Sequence, residues 1–181
     1  MRRLLLPIVL VLFSKPCYSD SRSSQESELF AGLLSWAVKL SGYEPPTINP
    51  TVEFVPQAFF NKNACGGRTC RVWGWYPNTG SNVVYVHEAA RELIEDGSDP
   101  RSLLAASIVV HEFTHYLQAA KRDFAPYGCK EALVLEHEAY NVQNAYLIAY
   151  GRYVHVGISM QNSGCEGAAG ELSLPARGES Q

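Results

Sequence analysis

The chain has 181 residues, of which 46% are hydrophobic and 18% are charged, and its formal net charge is −3. This length gives a single domain enough chain to bury a hydrophobic core. The charge excludes the basic surface that binding to nucleic acid requires, so no nucleic-acid partner is predicted.

The N-terminus has the pattern of a cleavable secretory signal peptide, which we assign to residues 1–19. Two arginines precede the apolar run Leu4–Phe13, which is too short to span a bilayer comfortably. Cys17 and Ser19 suit the two small-residue positions of a signal-peptidase site. We therefore expect a secreted or periplasmic protein with no stable membrane span after cleavage. An uncleaved membrane anchor is the alternative.

Cleavage after residue 19 removes one cysteine and leaves four, at positions 65, 70, 129 and 165. An even number of cysteines in an exported chain indicates disulfides. Three pairings are open, and we favour Cys65–Cys70 and Cys129–Cys165. The first would close a glycine-containing loop, and the second would tie the C-terminal segment to the domain. A four-cysteine zinc site is the competing interpretation, which the spacing and the oxidising compartment disfavour.

In chain order, residues 20–165 are predicted to form one α+β domain. Residues with β propensity, bounded by turn residues, predict three strands at 51–55, 71–76 and 82–87. The last two should pair as an antiparallel hairpin, and 57–70 should be a loop closed by a disulfide. Helical spacing of apolar residues predicts helices at 27–40, 89–94, 100–121 and 130–150. Residues 166–181 are small and polar, and they are predicted to be a disordered tail.

The helix predicted at 100–121 contains the sequence His111-Glu112-Phe113-Thr114-His115. Residues i and i+4 of a helix lie on the same face, so both imidazoles can bind one metal ion. Glu112 lies at the edge of that face, where it can reach a water on the metal without being a ligand. The alternative is that the histidines are ordinary residues of the core.

Catalytic zinc usually takes three protein ligands, so a third ligand is needed beside the two histidines. One known extension of the motif requires Gly and His at positions where this chain has Gln118 and Lys121, which excludes the metzincin class. The next predicted helix offers four candidates, namely Glu131, Glu136, His137 and Glu138.

The apolar stripe of that helix favours Glu138 as the third ligand. The stripe comprises Leu135, Ala139, Val142, Tyr146 and Ala149. Glu138 falls within the stripe, whereas Glu136 and His137 are predicted to point to solvent. A carboxylate on a core-facing stripe is costly unless it is paired or bound to a metal. We therefore predict a Zn²⁺ site formed by His111, His115 and Glu138.

The motif His111-Glu112-x-x-His115, followed by Glu138-Ala139 on the next helix, resembles the gluzincin class of zinc metallopeptidases, the thermolysin-like group. The resemblance covers roughly residues 72–151. It implies a zincin-like fold, in which a small antiparallel or mixed sheet packs on an active-site helix and a following ligand helix. In that class a Glu, commonly followed by Ala, is the third ligand. Tyr140-Asn141 stands where the class commonly has an Asp that supports a histidine, so the residue that orients a zinc histidine is unassigned.

These features predict a zinc-dependent peptidase. Glu112 would take the proton of a zinc-bound water as that water attacks a peptide carbonyl, and would pass the proton to the leaving amine. The resemblance implies a His or Tyr downstream of the ligand helix as the donor to the oxyanion. His155 is our first choice, and the alternatives are Tyr127, Tyr140 and Tyr153. A peptide or protein substrate is expected to bind along 82–87 as an edge strand.

Two other functions fit the same residues. In the first, the chain is a non-catalytic, disulfide-stapled domain that binds zinc or a partner. The presence of Glu112 disfavours this function. Alternatively, it would be a zinc hydrolase of a non-peptide amide of the cell envelope, which the residues do not distinguish from a peptidase.

Overall fold

The structure, a computed structural model, describes residues 19–77, 79–121, 128–161, 163–166 and 171–173. The predicted signal peptide lies outside these residues, apart from Ser19. The described helices are α1 (Ser19–Ser41), α2 (Gln57–Asn63), α3 (Ala89–Glu95), α4 (Ser102–Lys121), α5 (Cys129–Ala149) and α6 (Ile158–Gln161). The described strands are β1 (Thr51–Val55), β2 (Gly74–Trp75), β3 (Val83–His87), β4 (Gly164–Glu166) and β5 (Glu171–Ser173). The predicted α+β class is confirmed.

The larger sheet has three strands in the order β1-β3-β2. The predicted hairpin is confirmed, since β2 pairs antiparallel with β3, with Gly74 opposite Val86. The other side of β3 pairs in parallel with β1. The prediction that 82–87 is an edge strand is therefore wrong, because both of its sides are occupied. The strand at the edge beside α4 is β2.

The helix α4 lies at the centre of the domain and contacts the sheet, α1, α3 and α5. In the turn before α4, the carboxylate of Asp99 accepts a hydrogen bond from the backbone N–H of Arg101 at 2.7 Å. Most of the helix is buried, including Val109, Val110 and Phe113. These side chains pack with buried residues of three other elements, namely Leu33, Ala37, Val84, Val86, Val142 and Tyr146. Burial of this apolar surface stabilises the fold and fixes the position of the His-Glu-x-x-His segment.

Residues 57–63 form the helix α2, although the sequence predicts a loop there. The side chain of Gln57 donates a hydrogen bond to Asn61 one turn later, at 3.1 Å. The ring of Phe60 is fully buried. Apolar burial therefore outweighs the weak helix propensity of this asparagine-rich segment.

Both predicted disulfides are confirmed, Cys65–Cys70 and Cys129–Cys165. The second joins the start of α5 to β4. Strand β5 (171–173) pairs antiparallel with β4, so part of the predicted tail 166–181 is ordered as a strand. Residues 167–170 and 174–181 lie outside the described residues. Among the helices that are described, none is long and apolar enough to cross a membrane.

Candidate metal centre

The two histidines of the motif meet at one point beside α4. The Nε2 atoms of His111 and His115 are 3.1 Å apart, and their rings are nearly perpendicular. His111 is buried, and its Nδ1 atom has no hydrogen-bond partner among the described residues. The structure thus presents two Nε2 atoms to the same small volume, as the i, i+4 spacing predicts.

The third member of this group is Glu136 of α5. Its Oε2 lies 3.4 Å from His111 Nε2, and its Oε1 lies 3.5 Å from His115 Nε2. Glu138, which the sequence favours as the ligand, instead accepts hydrogen bonds from Tyr43 and Gln118. The structure therefore corrects the third position of the candidate site from Glu138 to Glu136.

Buried polar residues explain why the apolar stripe favours a carboxylate other than the one that lies beside the histidines. Gln143 and Asn144 of α5 are buried, although their side chains are polar. They widen the buried face of the helix beyond the stripe of apolar residues. Glu136, Gln143 and Leu147 follow one another at i, i+7 and i+11, which is a single line along a helix. Hydrophobicity does not detect such a line, because two of its three members are polar.

The spacing of the three side chains fits a tetrahedral metal ion. When Zn–N bonds are about 2.0–2.1 Å long, two nitrogens of a tetrahedral site lie roughly 3.3 Å apart. The two Nε2 atoms are 3.1 Å apart, and each lies within 3.5 Å of one of the two Glu136 oxygens. One ligand atom from each residue lies within 4.8 Å of the other two. Two imidazoles and a carboxylate are also the donor set of many catalytic zinc sites. His111, His115 and Glu136 can therefore hold one divalent cation.

The pKa values of the group are shifted by burial and by the contacts among its three members. Burial disfavours a charged His115, but the hydrogen bond and charge of Glu136 outweigh this and raise its pKa to about 9. Burial also disfavours a charged Glu136, but its hydrogen bonds to both histidines hold its pKa well below its usual range. Burial lowers the pKa of His111. The Glu136 carboxylate is thus charged in a half-buried position, where a proton on His115 or a cation can neutralise it.

Glu112 lies beneath the backbone of β2. A Cβ atom on Gly74 would lie 2.4 Å from Glu112 Oε1, so the strand leaves no room for a side chain there. The backbone N–H of Tyr76 donates a hydrogen bond to the Glu112 carboxylate. Burial raises the pKa of Glu112 to about 8. A cation held by His111, His115 and Glu136 would lower the pKa of Glu112, because positive charge favours the ionised carboxylate.

Tyr140 is the tyrosine that the structure brings to the group. Its ring centroid lies 4.4 Å from that of His111. Residue 157 is a glycine with a φ of +77°, and a Cβ atom there would overlap the ring of Tyr140. Burial, followed by the charges of Glu136 and Glu112, raises the pKa of Tyr140 to about 12, so the phenol is protonated at neutral pH.

The other predicted oxyanion donors are not brought to the metal ligands. His155 is exposed and does not line the cavity around the site. Tyr153 is 86% exposed. Tyr127 lies outside the described residues. Since Tyr140 directly contacts His111, it replaces His155 as the candidate donor.

A cavity of about 880 Å³ surrounds the site. One wall is the edge of the sheet, formed by residues 71–76, and the floor is α4. The opposite wall comprises α5 and the segment after it, including Gly157 and Met160. The cavity gives a ligand direct access to His111, Glu112 and Glu136.

Comparison of the chain with protein-family models, curated proteins and solved structures finds no match.

Proposed function

We propose that the protein is a zinc-dependent peptidase that uses Glu112 as its general base. The observation that carries this proposal is that the side chains of His111, His115 and Glu136 converge closely enough to hold one metal ion. Glu112, next to His111 in the chain, faces the same cavity. Two imidazoles, a ligand carboxylate and a second carboxylate that is not a ligand are the groups that metal-assisted hydrolysis of an amide needs.

Zinc, when bound, supplies a Lewis acid that lowers the pKa of water and polarises a carbonyl group. Glu112 accepts a proton at its carboxylate as water attacks the carbonyl carbon. Its position under Gly74 and its hydrogen bond from the Tyr76 N–H restrict the carboxylate to one orientation. Glu112 then returns the proton to the amine that leaves.

Tyr140 donates a hydrogen bond to the oxygen that becomes negatively charged. A neutral phenol stabilises such an oxygen without adding a second positive charge to the site. Its ring is held between His111 and the backbone of Gly157. This role belonged to His155 in the prediction from sequence, but the exposed position of His155 does not support it.

The substrate is an extended peptide segment that adds to the outer edge of β2. This edge is free of a neighbouring strand among the described residues, and the backbone of Gly74 lies against Glu112. A peptide that pairs with β2 therefore lies next to the strand that covers the general base, and strand addition supplies affinity through main-chain hydrogen bonds.

The place of action is the periplasm or the extracellular space. Two disulfides support this location, since they persist in oxidising compartments. The signal-peptide pattern of residues 1–19 supports it independently.

Zinc content and peptide hydrolysis test the proposal together. Protein purified without chelator should contain about one equivalent of zinc and should cleave members of a peptide library. Glu112→Gln should retain zinc and lose about 10²–10⁴-fold in rate, the usual contribution of a general base. Glu92→Gln removes an exposed carboxylate of α3 and is the matched control.

Three results would contradict the proposal. Purified protein that contains no zinc would contradict the proposed metal site. Zinc-bound protein that cleaves no peptide would favour a binding domain or a hydrolase of another amide. Full activity of Glu112→Gln would show that the base is another residue.

A further inference from the structure

Gln118 is a buried glutamine that links α4 to α5. Both its amide nitrogen and its amide oxygen have hydrogen-bond partners. It is only 2% exposed. Its Nε2 donates to the backbone carbonyl of Leu135 and to Oε2 of Glu138, both at 3.0 Å. Its Oε1 lies 2.8 Å from Nδ1 of His115. The amide therefore connects the ligand helix α5 to one of the two histidines.

The partners of Gln118 fix which way its amide points. A main-chain carbonyl and a carboxylate can only accept hydrogen bonds, so the NH₂ group must face α5. The amide oxygen must then face His115. Glu138 is itself held by the hydroxyl of Tyr43, which donates to the same Oε2 atom at 2.9 Å. Rotation of the amide by half a turn would place an acceptor against two acceptors.

This orientation selects one form of the His115 ring. An amide oxygen accepts a hydrogen bond, so Nδ1 of His115 must carry the hydrogen. In the neutral ring the lone pair is then on Nε2, the atom that lies 3.1 Å from His111 Nε2. The Nε2 atom is thereby presented to the metal position, and the direction of the ring is set by a hydrogen bond from outside the ligand group.

We propose that Glu138 and Gln118 are positioning residues, which hold His115 as an Nε2 ligand and thereby increase the affinity for the metal. The inference rests on the proposed metal site of His111, His115 and Glu136. It gives Glu138 a role two hydrogen bonds removed from His115, through Gln118. It also connects the metal position to Tyr43, just beyond the end of α1, through an unbroken series of hydrogen bonds.

The test is the zinc affinity of the folded protein, measured by competition with a chromophoric chelator. Gln118→Met keeps the side-chain length and removes both hydrogen-bonding groups, and it should weaken zinc binding about 10–100-fold. Glu138→Leu should also weaken zinc binding. Glu138→Gln keeps an acceptor oxygen for Gln118 and Tyr43, and it should restore an affinity close to that of the unchanged protein. Gln57→Met makes the same chemical change on α2 and is the matched control.

A second readout separates positioning from general stability. Each variant is unfolded thermally in EDTA, and its Co²⁺ absorption spectrum is recorded at saturating cobalt. Positioning predicts a changed spectrum for Gln118→Met and for Glu138→Leu, but not for Glu138→Gln. A purely structural role predicts a lower metal-free melting temperature with unchanged zinc affinity and spectrum.

The outcomes distinguish this inference from the proposed function. If the unchanged protein binds no zinc, the proposed metal site is wrong. If it binds zinc and the affinity of Gln118→Met and Glu138→Leu is unchanged, only the positioning role is overturned. Should Gln118→Met fail to fold, the comparison of Glu138→Leu with Glu138→Gln still decides the question.

Discussion

At the scale of single residues, the position of Glu112 depends on the absence of a side chain at residue 74. The Cβ of an alanine there would lie 2.4 Å from Oε1 and 2.7 Å from Cγ of Glu112. Since β2 is held by its pairing with β3, the carboxylate would have to move. Residue 74 must therefore be glycine because Glu112, the proposed base, occupies the space that a side chain would need, and not because of the backbone conformation.

We expect Gly74→Ala to lower peptidase activity about 100-fold, because displacement of a catalytic group by about 1 Å has an effect of this size. Zinc content should be unchanged, since Glu112 is not a ligand. Initial rates and metal analysis measure the two properties. Gly97→Ala is the control, because a Cβ atom at residue 97 would contact nothing within 4 Å. Equal activity of both variants would contradict the assigned position of Glu112.

Substitution of Glu136 and substitution of Glu138 should have different effects on zinc binding. Glu136→Ala removes a proposed ligand, so stoichiometric zinc should be lost at micromolar protein concentration. Glu138→Ala removes only a supporting group, so zinc should remain stoichiometric while its affinity falls. Metal analysis after gel filtration distinguishes the two, with the exposed Glu131→Ala on the same helix as control. If Glu138→Ala lost zinc and Glu136→Ala kept it, the third ligand would be Glu138.

At the scale of elements, the site is made by the packing of α4 against α5 and by the segment that follows α5. Asn144 binds that segment, donating to the carbonyl of Val156 and accepting from its N–H. His137 contacts the carbonyl of Met160 at 3.0 Å. The Cys129–Cys165 disulfide then returns the chain to the start of α5. One wall of the cavity is therefore tied to the ligand helix at three places.

The two disulfides should differ in their contribution to stability. They close loops with sequence separations of 36 and 5 residues. Chain entropy predicts that replacement of Cys129 and Cys165 by serine costs about 4 kcal/mol, against about 2 kcal/mol for Cys65 and Cys70. Urea unfolding of the two double variants measures the difference. A larger loss for the 65–70 pair would show that strain or interactions in the native state, and not loop closure, dominate.

At the scale of the whole molecule, a metal held between α4 and α5 should stabilise the entire fold. These helices form the core with α1 and the sheet, so the site exists only when the core is assembled. A ligand present at 1,000 times its Kd stabilises the native state by about 4 kcal/mol.

For a domain of this size, chelation of zinc should therefore lower the melting temperature by roughly 8–16 °C. Thermal unfolding followed by circular dichroism, with and without EDTA, measures the shift. His115→Ala should show no response to EDTA, since one ligand is missing. A shift that persists in this variant would place the stabilising metal elsewhere.

Local patterns in the sequence were sufficient for much of this architecture. The i, i+4 spacing brings His111 and His115 together because helical geometry depends only on neighbouring residues. The hairpin of β2 and β3 follows from the turn residues between them. Of three open pairings, the sequence favoured the one that closes the glycine-containing loop at 65–70 and ties the C-terminal segment to the domain, and the structure has this pairing.

Three features were decided only by the tertiary structure. Glu136 and not Glu138 lies beside the histidines because the face of α5 that packs on α4 includes the buried polar residue Gln143, which donates a hydrogen bond to Ser107. Strand β3 is central because β1, which is remote in sequence, pairs with its other side, and this leaves β2 as the edge strand beside the site. Tyr140 contacts His111 because it lies one turn after Glu136 on the face of α5 that packs on α4, whereas the chain after α5 leaves His155 exposed. Each depends on contacts between segments distant in sequence, which the periodicity of a single segment does not encode.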